Sequence, residues 1–520
     1  MPARFSESPV VECEVLIVGL GPTGATLAGL LGAQNISTVV VDREPGLLDL
    51  PRAVHFDGEV MRVFQNMGIA DSLSLRLRPS AGMQYVNADG LLMLERKPAA
   101  GVGPQGWANN YLFHQPDLEE TLREHLRRFA SVQVLTNTEL SCLGNDGLTT
   151  LATARATGTG GVDAVLRPQW VVGCDGARSM VREQIGSDLI DLGLHQEWLV
   201  VDVELLEPVS LPTATVQYCD PARPITFVNV TGNRRRWEIM IMPGDDAAAL
   251  ARADRLWPLL AQWIKPHQVR LVRSALYTFH SLLTERWRSG RLLLAGDSAH
   301  QTPPFLGQGM CAGIRDAANL SWKLAAVIRG QADESLLDTY QTERLPHVRT
   351  FIDTAIRLGN IIQTTDPTVA AERDQGFVRA GPQQIVNLSP PLGPGCHSGA
   401  EPCGTLAPQP RLADGRLLDD ALPPHRFACV SASPLPPGGP QSPGDRLHPM
   451  GGAQFCDASL QPWLDQMGAQ LLLLRPDRYV AASAQHISEI AHWPFADWGL
   501  KPHPPRDSKI GQDRISAPDT

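Results

Sequence analysis

A glycine-rich run near the N-terminus has the spacing of a dinucleotide-binding turn. Gly19, Gly21 and Gly24 form a GxGxxG pattern that follows an apolar strand and opens a helix. The first glycine permits the tight turn, the second lets the backbone approach a pyrophosphate, and the third allows close packing of the helix. Asp42, 21 positions after Gly21, can accept hydrogen bonds from an adenosine ribose, and Arg43 is assigned to the same site. A plain glycine turn beside a solvent-facing acid is the alternative, and the pattern alone fits either NAD or FAD.

Two later motifs extend this candidate site. Asp175-Gly176 follows a short apolar strand, and Gly296-Asp297 ends another. Open α/β sheets place ligand-binding residues at the carboxyl ends of their strands. Downstream, Gly307-Gln308-Gly309-Met310 opens a long helix, whose first N–H groups can face an electron-rich ring edge. Each pair alone is typical of an ordinary turn, so the order of the three motifs carries the information.

In that order the motifs resemble the GxGxxG, DG and GD motifs of the single-component FAD-dependent aromatic hydroxylases. The resemblance implies FAD as cofactor and NADH or NADPH as co-substrate. It implies that Asp297 binds the ribityl chain of FAD and that Asp175 lies near the pyrophosphate and the nicotinamide route. Cys311 replaces the Asn of most relatives, but the family contact there is made largely by the backbone. The other cofactor residues that it implies are Gly176, Gly296, Pro303, Gly307, Gly309 and Met310.

A narrower resemblance is to the phenol hydroxylase-like group, closest to the 3-(3-hydroxyphenyl)propionate and 3-hydroxycinnamate hydroxylases. It rests on Asp49-Leu50-Pro51-Arg52-Ala53 with Asp57 and Glu59, on Cys219-Asp220-Pro221-Ala222-Arg223-Pro224 and on the run from Gly307 to Leu324. It covers most of residues 12–350. It implies that Arg52 approaches the flavin and that Gln115 lies near the ribityl chain.

Four polar side chains are candidates for contact with the substrate. Asp57 resembles an active-site Asp of phenol hydroxylase, where a carboxylate could accept the phenol proton and raise the electron density of the ring. The alternative is an Asp that caps the helix beginning near Glu59. His55 and Arg52 are assigned to the same catalytic group, with a structural role as the alternative for His55. Arg223 could pair with a substrate carboxylate through two hydrogen bonds, or could be a solvated turn residue.

The resemblance implies an FAD-dependent monooxygenase. It further implies the mechanism of that family, in which NAD(P)H would reduce the flavin, O₂ would add to give a C4a-hydroperoxide, and a phenol would be hydroxylated ortho to its hydroxyl group to give a catechol. A hydroxylase of polycyclic or polyketide aromatic substrates is the alternative, and a non-catalytic flavin-binding interaction protein is a more distant one. The run Trp237-Glu238-Ile239-Met240-Ile241-Met242-Pro243 lacks the WxWxIP signature and disfavours a flavin-dependent halogenase.

The elements that must position these residues follow from hydrophobic periodicity. The predicted α/β elements are the strands Glu12–Val18, Ser37–Val41, Val171–Gly173 and Arg291–Ala295, and the helices Pro22–Leu31, Gln115–Phe129 and Gly309–Arg329. A mostly antiparallel set of strands comes between them, namely Trp198–Glu204, Thr215–Tyr218, Pro224–Val230 and Trp237–Met242. The predicted secondary structure therefore changes from alternating strands and helices to strands alone, and then back to alternating strands and helices.

We therefore predict an α/β protein with a discontinuous Rossmann-like FAD-binding domain, an inserted β-rich substrate domain and a small C-terminal thioredoxin-like domain. The FAD-binding domain takes residues 1–185, with a short substrate-domain excursion near 80–105, and residues 281–387. The substrate domain takes 186–280. Residues 388–520 form a Pro/Gly-rich connection, with runs such as Ser389–Gly395 and Pro434–Pro440, and a terminal unit with a hairpin at Gln470–Ala481. Without a CxxC pair this unit cannot exchange dithiols, and a packing or oligomerisation role is expected.

Composition sets limits on partners and location. The chain has 520 residues, a length that predicts about three structural units. Its residues are 43% hydrophobic and 19% charged, a composition typical of globular proteins. Its net charge of −10 argues against a nucleic-acid partner. Nine cysteines without a CxxC pair and 14 dispersed histidines suit a cytoplasmic protein with reduced thiols and no metal site. We see no membrane span and no signal peptide, and expect a small phenolic substrate, O₂ and a homodimer.

Overall fold

The computed structural model describes residues 10–47, 52–98, 101–145, 150–161, 163–434 and 453–501. The predictions that concern Asp49-Leu50-Pro51 and most of the run Pro434–Pro440 lie outside these ranges. Within them, no helix is both long and apolar enough to cross a membrane, and no group of His, Cys, Asp or Glu side chains could hold a metal ion. All nine cysteines are free thiols.

The N-terminal segment forms the predicted βαβ unit. Its elements are β1 (Val10–Val18), α1 (Pro22–Gly32) and β2 (Thr38–Val41). β1 runs parallel to β2, with Val15 opposite Thr38. The side chains from Val15 to Ile17 are fully buried, which explains the uninterrupted apolar run of a strand covered on both faces. Pro22 stands in the first turn of α1, where its missing N–H has no partner to lose.

The next segment alternates short strands and helices. Its elements are β3 (His55–Asp57), α2 (Gly58–Asn66), α3 (Ala70–Ser74), β4 (Arg78–Pro79), β5 (Met83–Asn87), β6 (Leu92–Arg96), β7 (Asn110–Leu112), α4 (Gln115–Leu126), β8 (Val132–Leu135), β9 (Thr138–Asn145), β10 (Thr150–Ala156), β11 (Ala164–Gly173) and α5 (Met180–Ile185). The prediction that α4 extends to Phe129 is wrong. The N–H groups of residues 127–129 bond to carbonyls three positions back, so the helix tightens and ends at Leu126.

Long strands dominate the segment that follows. They are β12 (Leu189–Leu205), β13 (Thr215–Cys219), β14 (Ile225–Val228), β15 (Arg234–Met240) and β16 (Val269–Thr284), with α6 (Ala247–Leu250) and α7 (Ala253–Leu260) before the last. The prediction that β14 reaches Val230 is wrong. The Asn229 side chain instead donates hydrogen bonds to the carbonyls of Pro212 and Thr213, which draws the chain out of the ladder.

The α/β pattern then returns as predicted. The elements are β17 (Arg288–Ser289), β18 (Leu292–Leu294), β19 (His300–Gln301), α8 (Gly309–Ile328), α9 (Asp338–Ile362), α10 (Pro367–Ala380) and β20 (Gln383–Gln384). Single-turn 3₁₀ helices cover Gly296–Ser298 and Pro304–Leu306. α8 packs against α1, and its small residues permit the close approach: a side chain at Gly313 would overlap Thr23.

Two sheets position the candidate site. The first has the order β17-β18-β11-β1-β2-β8, with β10 joining β11 to β9. Within it, β18, β11, β1, β2 and β8 are parallel. The second has the order β19-β16-β12-β15-β14-β13-β5-β6-β20 and is antiparallel except for the pairs β13–β5 and β20–β6. The strands β5 and β6 come from the predicted excursion near 80–105.

The C-terminal segment forms a separate four-stranded sheet. Its elements are α11 (Leu418–Ala421), β21 (Ala428–Ser431), β22 (Ala453–Cys456), α12 (Gln461–Gln466), β23 (Leu471–Leu474) and β24 (Val480–Ala484), in the strand order β22-β21-β23-β24. The predicted hairpin is present, because β23 pairs antiparallel with β24 and Leu471 lies opposite Ala484. The likeness of this unit to thioredoxin stays a prediction, and so do the domain boundaries.

Candidate active site

The predicted cofactor motifs meet at one edge of the parallel sheet. β1 ends at Val18 before the glycine turn, β2 ends at Val41 before Asp42, β11 ends at Gly173 before the DG motif, and β18 ends at Leu294 before the GD motif. Because parallel strands share a carboxyl edge, four separate stretches of sequence converge there.

A cavity of about 380 Å³ lies against this edge. Part of its lining comes from the motifs, with Gly21, Gly176 and Asp297 among them. Another part comes from the second sheet, including Tyr277 and Phe279 of β16. The cavity therefore joins the dinucleotide-binding edge of one sheet to a mixed polar and aromatic wall on the other.

The three glycines of the first motif have different surroundings. Gly19 has a φ of +102°, and a side chain there would collide with the carbonyl of Cys174. A side chain at Gly24 would collide with the carbonyl of Gly19. Gly21 has an ordinary φ of −69° and lines the cavity, and an added Cβ would meet no protein atom within 4 Å. Gly19 and Gly24 thus serve the turn itself, whereas Gly21 keeps the backbone open toward the cavity.

Asp42 holds the glycine turn from the neighbouring strand. Its Oδ2 accepts a hydrogen bond of 2.6 Å from the backbone N–H of Leu20, and its Oδ1 accepts one of 2.8 Å from that of Glu44. Asp42 is half-buried, whereas Arg43 is exposed and forms an ion pair with Glu44. Neither Asp42 nor Arg43 lines the cavity, and the predicted contact of both with the cofactor stays a prediction.

In the DG motif, the Asp175 carboxylate is fixed by hydrogen bonds, and Gly176 has free space beside its backbone. Asp175 Oδ2 accepts hydrogen bonds from the N–H groups of Met180 and Val181, while its Oδ1 is buried without a partner among the described residues. Burial raises the pKa of Asp175. Gly176 lines the cavity with a φ of +77°, and a side chain there would meet no protein atom.

The GD motif is fixed by a buried carboxylate that sequence reasoning missed. Asp316 of α8 accepts a hydrogen bond of 3.0 Å from the N–H of Gly296 and also contacts His300 Nε2 at 2.6 Å. Arg344 donates to its other oxygen. Burial opposes its ionisation, but the contacts with His300 and Arg344 outweigh it and lower the pKa of Asp316 to about 2. The adjacent Asp297 lines the cavity, and its carboxylate forms no hydrogen bond with a described residue.

The start of α8 is held by His55. His55 Nδ1 lies 3.1 Å from the carbonyl oxygen of Gly307, and its Nε2 lies 2.8 Å from Oδ1 of Asn110. Gly307 has a φ of +69°, and a Cβ there would come within 2.8 Å of the imidazole. Burial, with a smaller contribution from Arg96, lowers the pKa of His55 to about 4, so the ring is neutral at pH 7. Gly307 lines the cavity with Gly309 and Met310.

Cys311 and Pro303 stand beside the lining but not in it. Cys311 is fully buried in α8, and burial raises the pKa of its thiol, so it is present as an unreactive packing group. Pro303 precedes the short helix Pro304–Leu306, and its neighbours Thr302 and Pro304 line the cavity.

Gln115 supports the segment that carries Arg52. Its Oε1 accepts hydrogen bonds of 2.7 Å from the backbone N–H groups of both Arg52 and Ala53, and its Nε2 donates to Glu119. The carbonyl of Arg52 accepts a hydrogen bond from Arg236 in the second sheet. Arg52 and Gln115 both line the cavity, and their place near the cofactor stays a prediction.

Asp57 occupies the helix-capping position that was the alternative to a catalytic role. Its carboxylate accepts a hydrogen bond of 3.1 Å from the N–H of Val60 at the start of α2 and forms an ion pair with Arg315. Burial opposes ionisation, but Arg315 outweighs it, and the pKa of Asp57 is lowered. Asp57 does not line the cavity. Its catalytic role stays a prediction.

Arg223 is likewise placed away from the cavity. Its guanidinium binds both carboxylate oxygens of Asp245, at 2.6 and 3.1 Å, and the carbonyl of Met240. The bidentate geometry expected for a substrate carboxylate is therefore present, but with a carboxylate of the protein. Contact between Arg223 and a substrate stays a prediction.

Several charged residues in the lining escaped sequence reasoning. Arg236 and Glu238 share one face of β15 while Trp237 between them is fully buried on the other. A charged face of a strand is usually solvated, and this one instead faces the cavity. Asp202 pairs with both Arg236 and Arg273. The sequence signal that could have indicated this buried charged face is the alternation of charged residues with the large aromatic Trp237 along β15.

Glu238 is the carboxylate that this face presents to the cavity. It is 9% exposed, and its nearest cationic atom among the described residues is Nη1 of Arg236 at 3.8 Å. Burial raises its pKa. A carboxylate whose pKa is raised by burial is a stronger proton acceptor than an ordinary one, although Arg236 acts in the opposite direction.

The chemical properties of the residues that line the cavity match those of FAD. Gly21 and Gly176 leave open backbone where a pyrophosphate must approach, and the N-termini of α1 and α8 both open onto the cavity. The free carboxylate of Asp297 suits a hydroxyl-rich ribityl chain. A dinucleotide edge that continues into an aromatic wall defines a flavin-binding α/β oxidoreductase.

Comparison with known proteins identifies the family. A family model described as FAD binding domain matches residues 12–355. A probable NADH-specific resorcinol 4-hydroxylase of Rhodococcus jostii (strain RHA1) is 42% identical over 71% of this chain and 69% of its own. A 3-(3-hydroxy-phenyl)propionate/3-hydroxycinnamic acid hydroxylase of Burkholderia vietnamiensis (strain G4 / LMG 22486) is 33% identical over 91% of this chain and 94% of its own. The chain therefore belongs to the FAD-binding-domain family of flavin-dependent aromatic hydroxylases.

Solved structures show the same fold. The flavin-dependent monooxygenase PieE, in complex with FAD and substrate, superposes with a TM-score of 0.79 at 22% identity, covering 93% of this chain and 98% of its own. Aklavinone-11 hydroxylase, with FAD and aklavinone, gives a TM-score of 0.77 at 21% identity, covering 93% and 99%. The predicted α/β architecture with an FAD-binding domain is confirmed.

Proposed function

We propose that this protein uses FAD, NADH and O₂ to hydroxylate a small phenol ortho to its hydroxyl group, and that the phenol carries a second substituent in the meta position. The observation that carries the proposal is the single cavity lined both by the open glycine turns and by the aromatic and polar residues of the second sheet. Such a cavity can hold a flavin and an aromatic ring in contact.

The names of the relatives support this substrate class. Resorcinol and 3-(3-hydroxyphenyl)propionate differ in charge, but both are phenols with a substituent meta to a hydroxyl group. Position 4 of resorcinol is also ortho to a hydroxyl group, so one regiochemistry serves both. The name of the Rhodococcus relative favours NADH over NADPH.

Most of the proposed cofactor contacts follow from the lining, whereas those of Asp42 and Arg43, which lie outside it, follow from the dinucleotide-binding motif. Gly21 and Gly176 face the pyrophosphate, Asp297 accepts hydrogen bonds from the ribityl hydroxyls, and Asp42 and Arg43 lie toward the adenosine. Arg52 and Gln115 lie beside the flavin. When bound, FAD supplies the redox chemistry: it takes a hydride from NADH and activates O₂.

The chain itself must orient the phenol, exclude water and accept a proton. Phe279 and Phe305, which contact each other edge to face, provide an apolar surface for the ring. Loss of the phenol proton makes the ring more electron-rich at the ortho position. Glu238 lines the cavity and is therefore placed better than Asp57 to accept that proton.

The proposal includes a cytoplasmic setting and a homodimer. Nine free cysteines suit a reducing compartment. Size-exclusion chromatography with light scattering tests the dimer directly.

A single preparation tests the function. The visible spectrum of the purified protein should show bound FAD, and NADH oxidation should accelerate when resorcinol or 3-(3-hydroxyphenyl)propionate is added. Mass spectrometry should then find one added oxygen, and the proton NMR spectrum of the product should place it ortho to a hydroxyl group. A flavoprotein whose NADH oxidation responds to polycyclic phenols alone would overturn the substrate class, and a protein that cannot take up FAD would overturn the function.

A further inference from the structure

Arg96 is a buried cation that faces the cavity without a counter-charge. It ends β6 opposite Met83, is 5% exposed and lines the cavity. Its guanidinium forms no hydrogen bond or ion pair with any residue that the structure describes, and its Nε is shut off from solvent without a partner. An arginine this deeply buried is ordinarily paired.

The carboxylate whose charge acts on Arg96 is committed elsewhere. Asp57, whose field acts on Arg96, lies beyond ion-pair distance and is bound to Arg315. Two other arginines of the lining, Arg236 and Arg273, share Asp202. Arg96 is thus left with the cost of desolvation, which acts to lower its pKa, although a guanidinium stays protonated at neutral pH.

We propose that Arg96 binds the carboxylate of the substrate and makes the enzyme selective for meta-hydroxyphenyl carboxylic acids over neutral phenols. This inference rests on the proposed function and narrows its substrate class. The two terminal N–H groups of a guanidinium match the two oxygens of a carboxylate. A neutral resorcinol could accept a hydrogen bond from Arg96 but could not balance its charge, so the carboxylate gains more from the same site.

The test uses the FAD-loaded enzyme and three ligands that differ in charge. Dissociation constants are measured from the change in flavin absorbance on titration with 3-(3-hydroxyphenyl)propionate, its methyl ester and resorcinol. The variants are Arg96→Met, which removes the charge and keeps an unbranched side chain, and Arg96→Lys, which retains the charge. Lys97→Met is the matched control, since it removes the same charge one position away from an exposed site.

We expect Arg96→Met to weaken binding of the carboxylate at least about 30-fold, the loss typical of truncating one partner of a buried ion pair. Binding of the methyl ester and of resorcinol should weaken no more than about tenfold, because these ligands can lose a hydrogen bond to Arg96 but bring it no counter-charge. Arg96→Lys should recover part of the carboxylate affinity, and Lys97→Met should match the wild type. Removing an unpaired buried charge should also leave the melting temperature unchanged or raised.

Three results would overturn the inference while leaving the function intact. Equal losses for all three ligands would mean that Arg96 faces the phenol oxygen common to them. A shifted flavin potential without substrate would mean that it faces the cofactor. A clear preference of the wild type for resorcinol would mean that no carboxylate is selected. A wild type that hydroxylates none of these phenols would instead overturn the proposed function itself.

Discussion

The Tyr479 hydroxyl donates a 2.8 Å hydrogen bond to Oε1 of Glu59, although the two residues lie 420 positions apart in the chain. Glu59 Oε2 in turn accepts a hydrogen bond of 2.5 Å from Arg315, and Arg315 donates one of 2.9 Å to Gln308. Gln308 precedes α8 and lines the cavity. The hairpin turn of the C-terminal unit is therefore connected to the start of α8 through three polar contacts that are at least partly buried.

This connection predicts that Tyr479→Phe destabilises the protein well beyond the C-terminal unit. The variant removes the hydroxyl and keeps the ring, so Glu59 loses a buried hydrogen bond while packing is retained. We expect the free energy of unfolding to fall by about 1.5–3 kcal/mol, the range for a hydrogen bond to a charged group. Urea denaturation of the FAD-loaded protein, followed by flavin fluorescence, measures both the loss and the release of FAD.

Tyr218→Phe is the control for that experiment. The hydroxyl of Tyr218, in β13 of the second sheet, accepts a hydrogen bond of 3.2 Å from the neutral indole of Trp263, which follows α7. It should cost less, about 1 kcal/mol, because no charged partner is left behind. Equal losses in the two variants would contradict a special role of the Tyr479 contact.

Alanine substitutions at Gly21 and Gly24 should affect two different properties, FAD affinity at Gly21 and folding stability at Gly24. Gly21→Ala places a methyl group in open space at an ordinary φ, so the fold should persist while FAD binding weakens at least about tenfold, equivalent to 1.4 kcal/mol of lost contact. Gly24→Ala forces a methyl group onto the carbonyl of Gly19 and should cost about 1–3 kcal/mol of stability. Calorimetric titration of the apoproteins with FAD, together with thermal melts, separates the two effects. A Gly21→Ala protein that binds FAD normally would remove the pyrophosphate from that turn.

The sequence predicts best those parts of the site that depend on backbone conformation. The glycine turn and the GD motif directly follow the predicted ends of β1 and β18. These ends could be predicted because a buried parallel strand has a continuous run of apolar residues. Side chains that depend on tertiary pairing were not predictable in the same way. Asp57 and Arg223 have the residue types expected for catalysis and carboxylate binding. Their partners lie in other segments of the chain: Arg315 is 258 positions from Asp57, and Asp245 is 22 positions from Arg223.

The lining residues that sequence reasoning missed share one property. Arg96 and Glu238 are charged residues in strands. Charged residues that alternate with apolar ones along a strand are normally predicted to lie on its solvent-exposed face. Both are buried because their side of the second sheet lines the cavity that it shares with the first.

The pKa of His55 predicts a loss of stability in acid. The folded protein keeps this imidazole neutral down to about pH 4, because burial lowers its pKa, whereas an unfolded chain takes up the proton near pH 6.5. Between these values the unfolded state binds more protons, so the free energy of unfolding falls as pH falls. The contribution of His55 at neutral pH is on the order of 3 kcal/mol.

Denaturation at pH 7.5 and pH 4.5 of the wild type and of His55→Gln measures that contribution. The wild type should lose more stability than the variant, although His125 and His425, whose pKa values burial also lowers to about 4, contribute in both. His267→Gln, at an exposed position, should behave as the wild type does. A variant with an undiminished acid loss would show that His55 is not held neutral.

The last prediction separates Glu238 from Asp57 as acceptor of the phenol proton. A general base works best when its pKa lies near the working pH. Burial moves the pKa of Glu238 toward that range, whereas Arg315 holds the pKa of Asp57 low despite burial. In single-turnover stopped flow, Glu238→Gln should slow hydroxylation about 100-fold, the lower end for general base catalysis, while flavin reduction by NADH changes little. Asp57→Asn should keep the ratio of the two rates and instead lower the free energy of unfolding, because the ion pair with Arg315 is lost. The reverse pattern would place Asp57 in the mechanism and leave Glu238 as a buried neighbour of Arg236.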